Sequence, residues 1–165
     1  MLGKEMLLKL YDHSYWVTDR ILTSAAKISE ADFIGTTDHS HGSLRDTLVH
    51  TFYYEWSWRL RCQGEIPSVA SFEVEDFPNV EMLQEDWLAE EKMMRKYLNA
   101  LSEDDLQEEV TVETPNGEAY QLVRWHMLTH VTVHGMQHRS EAATMLTNLG
   151  QSPGGLDLIA FLYSG

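Results

Sequence analysis

From about Leu122 to Leu149 the chain places a histidine at every fourth position, His126, His130, His134 and His138, inside a run of apolar residues with helical spacing. Leu128, Val131, Gly135, Ala142, Met145 and Leu149 recur at alternating intervals of three and four, with one gap, and His138 fills it. Such a pattern is an amphipathic helix that has to bury one stripe against other elements. At about 100° per residue, His138 lies roughly 20° from the centre of the stripe and His134 roughly 60°. His130 lies roughly 100° away and His126 roughly 140°. The first two therefore face inward, His130 sits at the margin and His126 points to solvent.

An inward imidazole has to be hydrogen bonded or otherwise satisfied, because a buried polar group without a partner is costly. A lone histidine on an apolar face is ordinarily a hydrogen-bonded core residue. Two of them one helical turn apart can instead close on one metal ion, since residues four apart stand one above the other. Two ligands make a poor site, so a third has to come from another helix. His50, in SLRDTLVHTFYYEWSWRLRC, is the best candidate, with Tyr53, Tyr54 and Trp58 nearby. Periodicity does not single it out, because Leu48, Phe52 and Trp56 form a second stripe nearly opposite His50. That helix is expected to be buried on two sides, one against its own bundle and one against a second copy of the chain.

The rest of the chain supplies helices to pack against. A first amphipathic helix is expected from about Leu2 to Lys27, with Leu7, Leu10, Val17 and Ile21 on one face, followed by a short turn capped by Ser29. FIGTTDHSHGS reads as loop, which makes His39 and His41 loop residues, while His13 reads as a helix-flank residue. Ser43 and Asp46 predict the start of a second helix that ends near Cys62, before Gly64 and Pro67. A third helix is expected from about Val80 to Leu101, its stripe made by Val80, Leu83, Trp87, Met94, Leu98 and Leu101, its acidic face through Glu85, Glu90 and Glu91 solvated.

In EEVTVETPNGEAYQL, Val110 and Val112 alternate with polar residues and Asn116-Gly117 offers a hairpin turn. Gly150 and Pro153 end the fourth helix, and the tail GGLDLIAFL is apolar enough to fold back. The expected fold class is therefore all-α: a four-helix bundle with a small β-hairpin between helices three and four, in one domain over residues 1–165.

Composition excludes several functions. Twenty-six acidic against twelve basic residues give a formal charge of −14, which repels nucleic acid and anionic membranes. The apolar fraction of 43% argues for a folded core. Cys62 is the lone cysteine, so no disulfide forms within the chain, though pairing between chains stays open. MLGKEMLLKLYDHSYW lacks the pattern of a signal peptide, and no stretch approaches the roughly eighteen apolar residues of a membrane span, so a cytoplasmic location is expected.

The YW pair of helix one, HGSLRDTLVHTFYYEWSW, HGMQHRSEAATMLTNLG and the ending SPGGLDLIAFL together resemble the DinB-like family, including the YfiT-type proteins, over nearly the whole chain. The resemblance implies a bundle with a three-histidine metal centre whose ligands are His50, His134 and His138. Many relatives have Gly and Gln after the Arg of HGMQHR, where this chain has Ser140 and Glu141. Glu141, one turn beyond His138, is a candidate acceptor or general base, or a surface carboxylate. His130, one turn before His134, is likewise a candidate catalytic base or a supporting residue beside the ligands.

Three imidazoles leave a position open on one divalent ion, the arrangement of a catalytic metal. Zinc or nickel is the first expectation, with iron or manganese compatible. The expected activity is hydrolase-type chemistry on a small molecule. Thiol transfer with a low-molecular-weight thiol is the alternative, and a metal-braced, non-catalytic dimer is the third reading. A homodimer is expected in each case.

Overall fold

In the computed structural model, residues 3–68, 73–113 and 117–163 are described. Four long helices carry the fold: α1 (Lys4–Ala25), α3 (Leu44–Cys62), α4 (Val80–Ala100) and α6 (Arg124–Asn148). Between them lie the short helices α2 (Glu30–Ile34) and α5 (Glu103–Gln107), and α7 (Leu158–Tyr163) closes the chain. The hairpin is β1 (Glu109–Glu113) against β2 (Ala119–Val123), antiparallel, with Glu109 opposite Val123 and Glu113 opposite Ala119. The bundle and its hairpin are thus as the hydrophobic pattern predicts. Asn116 of the predicted turn lies outside the described residues, while Gly117 has the positive φ of 79° that such a turn needs.

Local chemistry sets the ends of the site-bearing helices. The Ser43 hydroxyl accepts a hydrogen bond from the Asp46 N–H at 3.0 Å, which caps α3 about two turns before His50. Asn79 does the same for α4 through the Met82 N–H. α6 begins two residues later than expected, because Leu122 and Val123 pair with β1. It ends at Asn148, so Leu149 falls outside the helix and is exposed, and Leu146 is buried on α6.

Two apolar cores lie end to end along the bundle. One joins Val17, Ile21, Leu48, Phe52, Leu83, Trp87, Ala142 and Leu146. The other joins Leu7, Tyr11, Met94, Leu98, Met127, Leu128, Val131, Val110 and Val112. Phe52 is 2% exposed within this single chain, packed against Phe77 and Trp87, so the second stripe of α3 faces the chain's own core.

A belt of buried charge separates the cores. Arg59 on α3 donates Nε and Nη2 to the two carboxylate oxygens of Glu90 on α4, at 2.6 and 2.8 Å. Arg139 on α6 donates Nη2 to Glu55 Oε2 at 3.1 Å and Nε to the Thr18 hydroxyl at 2.7 Å. The Trp87 indole N–H also points at Glu55 Oε2, 3.4 Å away. Burial, then the neighbouring Glu55 carboxylate, pushes the Tyr15 phenol well above its ordinary pKa. Glu90, expected on a solvated face, is instead 4% exposed, because Arg59 from another helix meets it inside the bundle. The Arg59–Glu90 pair uses both carboxylate oxygens, whereas Glu55 is engaged through Oε2 alone, and removing one partner of such a buried pair leaves the other stranded.

His13 also departs from expectation. It is buried in α1, and its Nε2 is 2.9 Å from the Leu156 carbonyl. Phe161 of α7 lies against His13 and Trp16, each ring 5.6 Å away, so the apolar tail folds back onto α1 as expected.

Candidate metal centre

The pairing of α3 with α6 brings His50, His134 and His138 to one point. His50 Nε2 is 3.4 Å from His134 Nε2, and His138 Nε2 is 3.2 Å from His134 Nε2. With metal–nitrogen bonds of about 2.0–2.1 Å, neighbouring ligand atoms on a tetrahedral or octahedral ion stand about 2.9–3.4 Å apart. The two observed separations fall in that interval. Ring centroids 5.3 Å apart for His50 and His134, 4.5 Å for His134 and His138, and 4.7 Å for His50 and His138 complete the triangle.

The cluster is poised to offer lone pairs. Burial, with the neighbouring His41 and His138, lowers the His50 pKa from 6.5 to about 4. Burial, with His138 and His50, lowers that of His134 to about 4. Burial also lowers His138, against the opposing pull of Glu141. Neutral imidazoles packed this closely near pH 7 have nitrogen lone pairs to offer, and a single cation would satisfy several of them together.

Neighbouring side chains hold the ligand rings in place. Tyr54, one turn beyond His50, stacks on His134 with centroids 3.9 Å apart and an interplanar angle of 17°. His138 Nδ1 stands 3.5 Å from Glu141 Oε2, at the outer limit of a hydrogen bond; a proton held on Nδ1 leaves the Nε2 lone pair facing the cluster. Glu141 also accepts from the Ser40 N–H at 3.0 Å and from the Ser40 hydroxyl at 2.8 Å, and lies 3.6 Å from His39 Nδ1. Burial alone would raise its pKa, but the Ser40 hydrogen bonds and His138 bring it below the ordinary carboxylate value. A carboxylate so engaged is a better acceptor than base.

His130 is exposed, with its ring 5.6 Å from His134 and 5.4 Å from Trp58, at the rim of the cluster. His126 is exposed and lies edge-on to Trp125. The structure adds one residue that periodicity gave no reason to select. His41, in the loop before α3, stacks on His50 with centroids 4.1 Å apart and meets His138 edge-on at 4.8 Å. Ligand atoms of His41, His50 and His138 all lie within 4.8 Å of one another. The available signal was positional: His41 precedes the Ser43 cap, and a loop entering that helix returns over the face that carries His50.

Fold and site together define a helical bundle with a histidine cluster of metal-binding type between two facing helices. The chain belongs to the DinB family, whose model matches residues 1–165. A solved structure, a DinB family member protein from Shewanella denitrificans, superposes with a TM-score of 0.63 at 14% identity, covering 95% of this chain and 89% of that one. At that identity the likeness concerns the fold. A search of curated protein sequences gives no match. Among the described residues, no helix is long and apolar enough to cross a membrane.

Proposed function

We propose that the protein is a metal-dependent enzyme in which His50, His134 and His138 hold one divalent ion, zinc or nickel first, and that it carries out hydrolase-type chemistry on a small molecule. The observation that carries the reading is that His134 Nε2 stands 3.4 Å from His50 Nε2 and 3.2 Å from His138 Nε2. An ion bound there would supply a Lewis acid able to activate a water or a thiol.

The chain's own residues supply the rest. Tyr54 covers one face of His134 and fixes its ring. Glu141 orients His138 through Nδ1, the role this geometry favours over proton abstraction. His130, exposed at the rim, is the nearer candidate for moving a proton to or from a substrate.

Metal analysis of untagged protein tests the ligand set. His138→Ala should lose stoichiometric metal, whereas His126→Ala should keep it, and equal retention would refute the assignment. Activity is tested on a panel of chromogenic esters and phosphoesters beside a thiol plus an electrophile, each with and without added metal. Metal-dependent turnover of the thiol pair alone would replace hydrolysis by thiol transfer.

A further inference from the structure

Two triads of imidazoles share the His50–His138 pair. His134 completes one of them from α6, and His41 completes the other from the loop before α3. The loop is built to a defined shape. The Thr37 N–H donates to the Gly42 carbonyl at 2.5 Å, the Gly42 N–H donates to the His39 carbonyl at 3.0 Å, and Gly42 takes a φ of +84° that a side chain would resist. Its tip is fastened to α6, because both the N–H and the hydroxyl of Ser40, the residue before His41, donate to the Glu141 carboxylate. Glu141 is itself one turn beyond His138. One carboxylate therefore sets the position of His138 and of the loop that carries His41.

We propose that His41 is a fourth, displaceable imidazole ligand, which caps the ion held by His50, His134 and His138 until a substrate donor atom takes its place. The inference rests on the three-histidine reading above. His41 differs from the other three in its support: they stand on long helices packed in the bundle, and it stands on the loop of residues 35–43, held across to α6 by Ser40. Helix-borne ligands stay put, while a loop ligand can withdraw without disturbing the core. The exchange is one lone pair for another, with no net proton or electron transfer. Glu141 is a positioning residue for this cap, acting through Ser40.

Cobalt(II) titration of the full-length, metal-free chain tests the idea, read by visible absorption and by competition with a chromogenic chelator. Four protein nitrogens should give the intense bands of low-coordinate cobalt. His41→Ala and His41→Phe should both weaken binding and convert the spectrum to the fainter bands of a centre that has taken up water; the phenyl ring of the second keeps the stack on His50 without a lone pair. Loss of a supporting partner around a metal ligand typically costs 10–100-fold in affinity, so loss of a ligand should cost about tenfold or more. Millimolar imidazole should restore the intense bands in His41→Ala. Ser40→Ala should weaken cobalt binding in the wild-type background and add little in His41→Ala.

Wild-type spectra and affinity in both His41 variants would overturn the inference while leaving the three-histidine site intact. Failure of the unaltered chain to bind cobalt, or retention of cobalt by His138→Ala, would overturn the three-histidine reading and this inference with it.

Discussion

Gly135→Ala should destabilise the protein, although the same change in most helix interiors stabilises by about 1 kcal/mol. A Cβ at position 135 would stand 2.2 Å from Arg139 Nη1 and 3.2 Å from its Cζ. The guanidinium would have to retreat by more than about 1 Å to restore an ordinary contact distance. An exposed arginine would do so cheaply. Arg139 is 2% exposed, donates to Glu55 Oε2 and to the Thr18 hydroxyl, and lies over the Trp87 ring. Moving it breaks those bonds inside the bundle, and disrupting a buried ion pair typically costs about 3–5 kcal/mol. Offsetting the gain in helix propensity leaves a net loss of about 2–4 kcal/mol, or roughly 5–15 °C in Tm for a chain of this size. Urea and thermal unfolding of metal-free protein, followed by circular dichroism, measure it. In an Arg139→Met background the alanine should turn neutral or stabilising, since the clash is gone. A Gly135→Ala protein as stable as the parent, with Arg139 present, would refute the claim that this glycine makes room for a fixed guanidinium.

Four further outcomes are expected. Glu90→Gln should cost about 3–5 kcal/mol in urea unfolding by stranding Arg59, whereas Glu90→Leu combined with Arg59→Met should cost far less; equal losses would show that the pair is not the cause. Cys62, buried with its thiol pushed up to about 12, should resist alkylation in the native protein and react fully once unfolded, and rapid native labelling would contradict its burial. In metal-free protein, His50 and His134 titrate near 4 when folded and near 6.5 when unfolded, so between those values the unfolded chain binds more protons. Stability should therefore be complete above about pH 6.5 and fall as the pH drops towards 4, and urea midpoints that are equal at pH 7 and pH 5 would contradict this. The expected homodimer would have to use the half-buried Trp56 in place of Phe52, and a monomer at micromolar concentration in light scattering would reject it.

Much of the fold follows from period and punctuation in the sequence. The 3.6-residue repeat of α6 separates His134 and His138 from His126 correctly, and Ser43 and Gly150 mark real helix ends, Gly150 with a φ of +76°. What period cannot supply is the identity of a partner across the bundle. Glu90 reads as solvated because Arg59 lies 31 residues earlier on a different helix, and no spacing rule links them. Phe52 and Leu48 read as a face in search of a second chain, when Trp87, Phe77 and the end of α6 supply their burial. His50 enters the cluster only through the packing of α3 on α6, so the family resemblance named it where periodicity did not. His41 was missed for the complementary reason. A loop has no period, and its approach to His50 and His138 depends on the Ser40–Glu141 link, which joins residues 101 apart.

The belt of buried charge has a consequence for axial alignment. An apolar seam between helices tolerates sliding, since one aliphatic contact resembles the next, but a guanidinium that must meet one carboxylate does not. An α-helix advances about 1.5 Å per residue, so a slip of α6 along α3 by a single residue would carry Arg139 away from Glu55 and draw His134 and His138 out of step with His50. Arg139 immediately follows His138, and Glu55 lies five residues after His50, so the ion pair and the imidazole cluster measure the same offset between the same two helices. The charged pair thus acts as a stop that sets the axial offset at which the imidazoles of the two helices meet.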